Sequence, residues 1–399
     1  MAQYLCLPNF FLLHLLILAT LISKPILADP VRYDVTQFGA DKTGSYGSTK
    51  AFRTTWKVAC QSTKPAEFYV PEGVFLVGYL LFEGPCKSFM SFTNSGTIKA
   101  PLNYSNPTVI GAWIKFHSVF GMSFTGGIID GSGGRLWACK SNKSDCPLGS
   151  TSVQFSHCSK ITTKRLTAIN SQIFHFAIHA SEDIKMHATV IKAPENSPNT
   201  DGIHIQQSKG IEIIGASIQT GDDCISMGVG SSNIYIENVH CGPGHGISIG
   251  SLANRAIEEG VSNVTVKEVE FTGSTNGFRI KSWARKSNGF VRNVLFENAI
   301  MNDVRNPITI DQNYCPSGNN CPTEGSGIKI NGVTYNHIRG TSTTRVAVNL
   351  NCSPTNPCRG ITLTNIDLTY SKSQPALSYC KNAHGVTSGK ANPPSCLAS

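Results

Sequence analysis

The sequence predicts an all-β chain folded as a right-handed parallel β-helix. A short unit in which Ile or Val alternates with polar residues begins at residues 159, 181, 208, 231, 261 and 291, and a later pair of similar units begins at residues 332 and 360. Units of roughly 20 to 30 residues with Gly and Asn turns are typical of β-solenoids. The 37 glycines and the charged fraction of 15% fit a globular, turn-rich chain.

A second family of strands interleaves with the first one. Its members are T-D-G-I-H-I from Thr200, D-D-C-I-S-M from Asp222, G-H-G-I-S-I from Gly244 and T-N-G-F-R-I from Thr275, and the first three are 22 residues apart. If each strand stacks on the previous rung, equivalent side chains form columns about 4.8 Å apart. One of these, called here the acidic column, contains Asp201, Asp223, His245 and Asn276.

Alternation along these strands predicts which side chains face the core. The inward set is Ile203, Ile205, Ile225, Met227, Ile247, Ile249, Phe278 and Ile280. The outward sets are His204, Ser226, Ser248 and Arg279, and then Gln206, Gly228, Gly250 and Lys281. Strict alternation would turn Asp201 inward, so we expect the acidic column at a turn or bend before the strands.

An amino-terminal segment predicts a helix that caps the solenoid. In TKAFRTTWKVAC, from Thr49, the apolar residues Phe52 and Trp56 are four apart and Ala59 is near them, which suits an amphipathic helix. A solenoid needs a cap at an open end, so the predicted role is structural.

The chain begins with a predicted signal peptide, residues 1–28, with cleavage after Ala28. The apolar run at residues 10–22 is short for a membrane span, although no Lys or Arg precedes it. An uncleaved anchor is the alternative, which the short run and His14 disfavour. No other segment could span a membrane, and residues 29–399 are predicted to form a single domain.

The cysteines favour an oxidising, extracellular compartment. There are fourteen and no CxxC pair, which argues against a zinc module and for disulfides. Loss of Cys6 with the leader leaves an odd number, so one thiol stays unpaired. Close pairs that could close short loops are Cys139/Cys146, Cys315/Cys321, Cys352/Cys358 and Cys380/Cys396, with the connectivity open. Glycosylation sequons occur at Asn103, Asn142, Asn263 and Asn351.

A positive net charge points to a polyanionic partner. The formal charge is +9, or one less once Lys24 leaves with the leader. Nucleic acid is disfavoured because the basic residues are scattered and no nucleic-acid-binding motif is apparent. An acidic polysaccharide is the remaining extracellular polyanion, and we expect a monomer.

Stacking of the repeats predicts a carboxylate cluster of Asp201, Asp222 and Asp223 beside His245. Crowded carboxylates cannot all ionise cheaply, so at least one should keep a proton. A protonated and an ionised carboxyl about 6.5 to 9.5 Å apart suit glycoside hydrolysis with inversion. A single Asp would more often be a turn residue, but three in adjacent rungs favour function. For His245 the flanking glycines leave a purely structural role equally open.

Four ordered motifs carry a resemblance to a known family. They are N-T-D at residues 199–201, G-D-D at 221–223, G-H-G at 244–246 and R-I-K at 279–281. In this order they resemble the polygalacturonases of glycoside hydrolase family 28, which have a pectin-lyase-like β-helix. The resemblance extends from VTQFGA near Val35 to the carboxy-terminal cysteines.

The resemblance implies a role for each matching residue. Asp222 would be the general acid, while Asp201 and Asp223 would hold and activate the attacking water. The implied supporting residues are His245 for the acid and the substrate, Arg279 and Lys281 for a galacturonate carboxylate, Tyr314 for the same subsite and Asn199 for orienting substrate or an aspartate. Cys224 would pair with Cys241. Neither a metal ion nor another cofactor is implied.

The implied substrate is polygalacturonic acid, the backbone of pectin, in the cell wall. NPITIDQNYCP and GTSTTRVAVNL are most similar to plant pollen-type enzymes described as exo-acting, with endo-cleavage as the alternative. A pectate lyase, using Ca²⁺ and an Arg base, and a non-catalytic pectin-binding wall protein are the rival functions. The cleavage pattern and the tolerance of methyl-esterified substrate are left open.

Overall fold

The computed structural model describes residue 1 and residues 29–102, 111–142, 145–371 and 374–398. The predicted signal peptide, apart from residue 1, and the sequon at Asn103 lie outside these residues. No helix in the described part of the chain is long and apolar enough to cross a membrane.

The fold is a right-handed parallel β-helix, as predicted, and one of its two hydrogen-bonded sheets carries the candidate site. In this site sheet every strand pairs in parallel with the next one. With strands numbered in chain order, it contains β5 (Leu80–Glu83), β8 (Gly111–His117), β11 (Ser150–Ser156), β14 (Phe176–His179), β17 (Ile203–Gln206), β20 (Ile225–Met227), β22 (Ile247–Leu252), β24 (Asn276–Ser282), β26 (Asn306–Asp311), β28 (Val346–Asn351) and β30 (Leu377–Lys381).

The larger sheet begins as two rows that merge. The first row is β1 (Val31–Asp34), β3 (Ala66–Val70), β6 (Met90–Asn94), β9 (Phe120–Thr125), β12 (Ser159–Lys164), β15 (Glu182–His187), β18 (Lys209–Ile214), β21 (Ser232–Cys241), β23 (Val261–Thr272), β25 (Phe290–Val304), β27 (Lys329–Ser342), β29 (Cys358–Tyr370) and β31 (Ala383–Asn392). The second row is β2 (Thr43–Gly47), β4 (Val74–Leu76), β7 (Thr97–Lys99), β10 (Ile128–Asp130), β13 (Thr167–Ile169), β16 (Val190–Lys192) and β19 (Ser217–Gln219). The rows join because β21 pairs with both β18 and β19.

Both predicted families of repeats correspond to stacked strands. The units that begin at residues 159 to 291 form β12, β15, β18, β21, β23 and β25, and the later pair forms β27 and β29. Within the site sheet, Ile203 pairs with Ile225, which pairs with Ile247. All eight residues predicted to face inward have zero exposure, and burying such a side chain contributes roughly 1.5–3 kcal/mol.

The amino-terminal helix α1 (Thr49–Cys60) has the predicted bounds and caps the core. Phe52 and Trp56 are buried, and the Trp56 ring centroid lies 4.7 Å from that of Phe82 on the first strand of the site sheet. The Trp56 indole also donates to the Glu83 carbonyl at 3.0 Å, so its polar atom is satisfied. The remaining helices are a 3₁₀ turn (Val35–Phe38) and α2 (Gly134–Ser141).

Within the ranges that the structure describes, six disulfides join turns and neighbouring rungs. The four predicted close pairs form, as does Cys224–Cys241. The sixth joins Cys60, at the end of α1, to Cys86, and sequence reasoning missed it. Among the described residues, Cys158 is the free cysteine and is buried, which agrees with the expected odd thiol.

Candidate active site

The acidic column stands where the chain enters the site sheet. Asp201, Asp223 and His245 lie two residues before the first residues of β17, β20 and β22. Backbone hydrogen bonds already join these entry turns, since the Gly202 amide donates to the Asp223 carbonyl at 2.9 Å. Asp201, Asp223 and His245 therefore precede their strands, as expected, whereas the fourth member of the acidic column, Asn276, is the first residue of β24.

Gly202 permits this close stacking of entry turns. A Cβ added there would lie 2.5 Å from the Cys224 carbonyl oxygen and 2.6 Å from a methyl carbon of Ile218. Real Cβ atoms do not approach backbone so closely, so the glycine of N-T-D-G is required by packing. The disulfide of Cys224 to Cys241 ties the same rung to β21.

Asp223 is held by two cationic side chains, those of Arg279 and Lys281. Its Oδ1 accepts from Arg279 Nη2 at 2.7 Å and from Ser248 Oγ at 2.8 Å, and its Oδ2 accepts from Lys281 Nζ at 2.8 Å. The Asp223 side chain is 2% exposed. Charge-assisted bonds of this length are among the stronger polar contacts in proteins, so the orientation of this carboxylate is fixed.

The predicted cation pair thus faces outward but contacts a protein carboxylate. Arg279 and Lys281 are the outward residues of β24, with side chains 14% and 8% exposed. Sequence reasoning assigned them to a substrate carboxylate and did not foresee that Asp223 binds both. Their outward direction, which alternation does predict, is common to the two roles.

Asp201 is buried and accepts one hydrogen bond from a neighbouring rung. Ser226 Oγ donates to its Oδ2 at 2.7 Å. Burial, together with the negative charges of Asp222 and Asp223, raises the pKa of Asp201 well above its ordinary value, although Ser226 and Lys281 oppose this. Asp201 is therefore the carboxyl that most readily keeps a proton while the groove is empty.

Asp222 is the most accessible of the three carboxylates. Its side chain is 18% exposed, and it accepts from His245 Nδ1 at 3.0 Å and from Asn199 Nδ2 at 3.4 Å. Burial favours the neutral form, but the His245 hydrogen bond and charge, with Lys281 and the Asp223 amide, outweigh it and lower the pKa of Asp222. The predicted cluster of Asp201, Asp222, Asp223 and His245 is thereby brought together.

These residues fit a divalent cation poorly. Ligand atoms of Asp222, Asp223 and His245 lie within 4.8 Å of one another. However, both Asp223 oxygens already bind the cations of Arg279 and Lys281. A metal ion there would meet two fixed positive charges or would have to displace them.

Tyr314 lies beside the cation pair, as the resemblance implied. The Lys281 ammonium is 5.3 Å from the centroid of its ring. Trp283 supports the same ring edge-on, with centroids 5.3 Å apart. Sequence reasoning missed Trp283, which follows Lys281 by two residues and comes directly after the last residue of β24.

A cavity of about 760 Å³ adjoins the cluster on the outward face of β14, β17, β20 and β22. Gly228 and Gly250 leave the outward column without side chains here, and the segment 251–259 forms a wall. Its lining includes His179, His204, Gln206, Gly228, Gly250 and Arg255. The cavity offers imidazole, amide and guanidinium groups to a polar ligand, together with the carboxylates of Glu258 and Glu259.

Known proteins share this architecture and sequence. A polygalacturonase of Prunus persica is 49% identical over 373 residues, covering 93% of this chain and 95% of the relative. An exopolygalacturonase of Oenothera organensis is 42% identical over 358 residues, covering 88% and 98%. The solved polygalacturonase of Erwinia carotovora superposes with a TM-score of 0.72 at 26% identity, covering 92% of this chain and 99% of that one.

The family assignment rests on most of the chain. Residues 60–393 match the sequence profile of the glycosyl hydrolases family 28. This span contains all four signature segments and every residue of the cluster described above. The chain therefore belongs to glycosyl hydrolases family 28.

Proposed function

We propose that this chain is a secreted polygalacturonase that hydrolyses α-1,4-galacturonosyl bonds of polygalacturonate with inversion and without a metal ion. The observation that carries the proposal is the group of three carboxylates in which Asp223 is bound by Arg279 and Lys281, at 2.7 and 2.8 Å. The relatives from Prunus persica and Oenothera organensis, whose names specify polygalacturonase activity, support the substrate class.

The proposed reaction uses one protonated and one ionised carboxyl. Asp222, the most accessible, donates its proton to the glycosidic oxygen, and the bond from that oxygen to the anomeric carbon breaks. Asp201, aided by Asp223, accepts a proton from a water whose oxygen bonds to the anomeric carbon from the opposite face. The product has the inverted configuration, and general acid–base help of this kind contributes about 10²- to 10⁴-fold each.

Before this step, the proton shared by the carboxylates must move from Asp201 to Asp222. In the empty groove the pKa of Asp201 is raised and that of Asp222 is lowered, so the single shared proton favours the intended base. The pair titrates as a unit, and the reaction proceeds from the arrangement in which Asp222 holds that proton. Substrate binding therefore has to reverse the preference.

The cation pair is proposed to recognise a galacturonate carboxylate. Lys281 and Arg279 together carry two positive charges against the one charge of Asp223, so the group keeps attraction for a second anion. Tyr314 would border the bound sugar from its position 5.3 Å from Lys281, and Asn199 would align Asp222 through their hydrogen bond.

Exo-cleavage, monomeric state and an extracellular, cell-wall location complete the proposal. The exopolygalacturonase of Oenothera organensis supports exo-action. The six disulfides support an oxidising compartment.

The test is to incubate the purified mature chain with polygalacturonate in excess chelator and to follow reducing ends and product size over time. Early release of short products with slow loss of viscosity supports exo-hydrolysis, whereas a rapid fall in viscosity supports endo-hydrolysis. Proton NMR of the first product identifies its anomer. An unsaturated, UV-absorbing product that needs Ca²⁺ would indicate a lyase, and binding without any cleavage would indicate a wall-binding protein.

A further inference from the structure

His204 links the polar cavity to the buried carboxyl Asp201. It is an outward residue of β17 and lines the cavity. Its Nδ1 lies 2.8 Å from Ser226 Oγ, and Ser226 Oγ lies 2.7 Å from Asp201 Oδ2. Sequence reasoning placed His204 and Ser226 on the outward face and gave neither a role.

One face of the His204 imidazole packs against Phe174, and the ring also borders the cavity. The Phe174 ring lies over the imidazole with centroids 4.7 Å apart, which fixes the ring plane. On the cavity side, a Cβ added at Gly228 would be 3.7 Å from Cε1, so the glycine leaves the ring edge clear. The Gln206 side chain of the same strand also hydrogen-bonds to the imidazole, so a sugar hydroxyl in the cavity would meet Nε2 in competition with this amide.

The hydroxyl of Ser226 has one proton, and this makes the chain of bonds directional. When Asp201 is ionised, Ser226 donates to it, so His204 must carry its proton on Nδ1 and its Nε2 is an acceptor. When Asp201 is protonated and donates to Ser226, the Ser226 proton turns to Nδ1, and Nε2 carries the hydrogen. The tautomer of His204 and the protonation of Asp201 thus change together.

We propose that His204 is a positioning residue through which substrate in the cavity sets the protonation of Asp201. A sugar hydroxyl that donates to Nε2 selects the tautomer with Nδ1–H. Ser226 then donates to Asp201 and stabilises its ionised form, and the proton shared by the carboxylates is left to Asp222. No covalent bond other than O–H and N–H bonds changes, and the proton count of the cluster is conserved.

The charged surroundings are compatible with this neutral switch. Burial lowers the pKa of His204 to about 4, while a hydrogen bond with the Gln206 side chain and the charge of Asp223 oppose this, and Lys281 and His179 lower it further. The ring is therefore neutral over the mildly acidic range and acts through its tautomer. Asp201 faces Asp222, Asp223 and Lys281 as well as Ser226, and of these Ser226 turns its proton and Asp222 receives the shared proton when the tautomer changes.

The inference rests on the proposed function, and its test is the pH dependence of His204→Phe on oligogalacturonate. The limbs of kcat/KM report the free enzyme and those of kcat the bound enzyme. In the wild type, we expect the acid limb of kcat at lower pH than that of kcat/KM. In His204→Phe, the two limbs should coincide and kcat should fall about 10- to 100-fold, and Ser226→Ala should behave alike.

Two further variants separate this role from simple binding. His204→Gln, whose amide can both donate and accept, should recover part of the limb separation. Arg255→Ala changes an exposed residue of the same cavity that makes no contact with Asp201, so it should alter KM and leave the separation intact. A wild type that does not cut the oligomer would overturn the proposed function itself.

Nitrogen-15 NMR of labelled histidine gives a readout besides activity. Bound galacturonate should shift His204 toward the tautomer with Nδ1–H, and Ser226→Ala should remove that shift. An active wild type with an unchanged tautomer, or a His204→Phe variant with wild-type kcat and limb separation, would overturn the coupling while leaving polygalacturonase activity in place.

Discussion

At the residue scale, the candidate site contains three aspartates whose surroundings differ. Asp223 is fixed by two cations, Asp201 is buried with one serine donor, and Asp222 is accessible and bound by His245. The side-chain type is the same in each case. Desolvation and neighbouring charge are what separate their protonation.

Replacing Asp222 tests the acid assignment. We expect Asp222→Asn to lower kcat by about 10²- to 10⁴-fold, because the amide cannot donate a labile proton to the leaving oxygen, with little change in KM. Steady-state kinetics on polygalacturonate measures this. Asp183→Asn, at an exposed position of β15 outside the site, is the matched control. Near wild-type turnover in Asp222→Asn would show that another group is the acid.

Replacing Asp201 tests the origin of its raised pKa through stability. A carboxyl whose pKa is higher in the folded than in the unfolded state destabilises the fold once pH exceeds its unfolded value of about 4, and increasingly up to its folded value. At pH 7, Asp201→Asn should therefore have a higher free energy of unfolding than the wild type, by about 1.4 kcal/mol for each unit by which the pKa of Asp201 is raised. Chemical denaturation measures this difference. At pH below 4 the difference should vanish. Equal stability at both pH values would contradict the raised pKa.

At the element scale, two-residue alternation and rung stacking predicted most of what positions the site. They assigned the inward faces of β17, β20, β22 and β24, and they placed Asp201, Asp223 and His245 before their strands, whereas Asn276 begins β24. They could not show whether Arg279 and Lys281 bind a carboxylate of the protein or one of the substrate, because both kinds of carboxylate would lie on the outward side of the sheet. Cys60–Cys86 was missed because its partners are 26 residues apart, so local spacing carries no signal for it.

Tyr335 of β27 buries a hydroxyl group that its ring stacking does not require. Tyr335 has zero exposure, and its Oη is buried without a hydrogen-bond partner. Burial raises the pKa of this phenol. Its ring stacks on Phe296 with centroids 5.1 Å apart, and that contact needs only the ring.

Tyr335→Phe should accordingly raise the free energy of unfolding by about 1 kcal/mol, since it removes a buried unsatisfied hydroxyl and keeps the ring. Chemical denaturation with unchanged activity is the measurement. Tyr335→Leu, which loses the stack, should instead be destabilised. A loss of stability in Tyr335→Phe would reveal an unrecognised partner for the hydroxyl.

At the scale of the whole molecule, a positively charged solenoid brings a polyanion to a site whose chemistry needs one shared proton. The formal charge is +9, and such a field increases encounter with acidic polymers and is weakened by salt. The rungs align the outward columns along the axis, so the cation pair, the acidic column and the cavity lie on one face. In the proposed mechanism, catalysis depends on how many protons the carboxylates hold rather than on a bound ion.

The pH dependence of the complete enzyme follows from that proton count. Below the lowered pKa of Asp222 both Asp222 and Asp201 are protonated and no base is present, while above the raised pKa of Asp201 both are ionised and no acid is present. Activity should therefore follow a bell with an optimum on the acid side of neutrality.

Chelator should leave this bell unchanged, since Arg279 and Lys281 already occupy Asp223 where a divalent ion would bind. The measurement is initial rate on polygalacturonate from pH 3 to 9, with and without excess chelator, in buffers of equal ionic strength. His245→Asn should retain the bell, because its amide can still donate a hydrogen bond to Asp222, as His245 does at 3.0 Å. A Ca²⁺ requirement with an alkaline optimum would mean that the cation pair yields to a metal ion, and the hydrolytic mechanism would then be wrong.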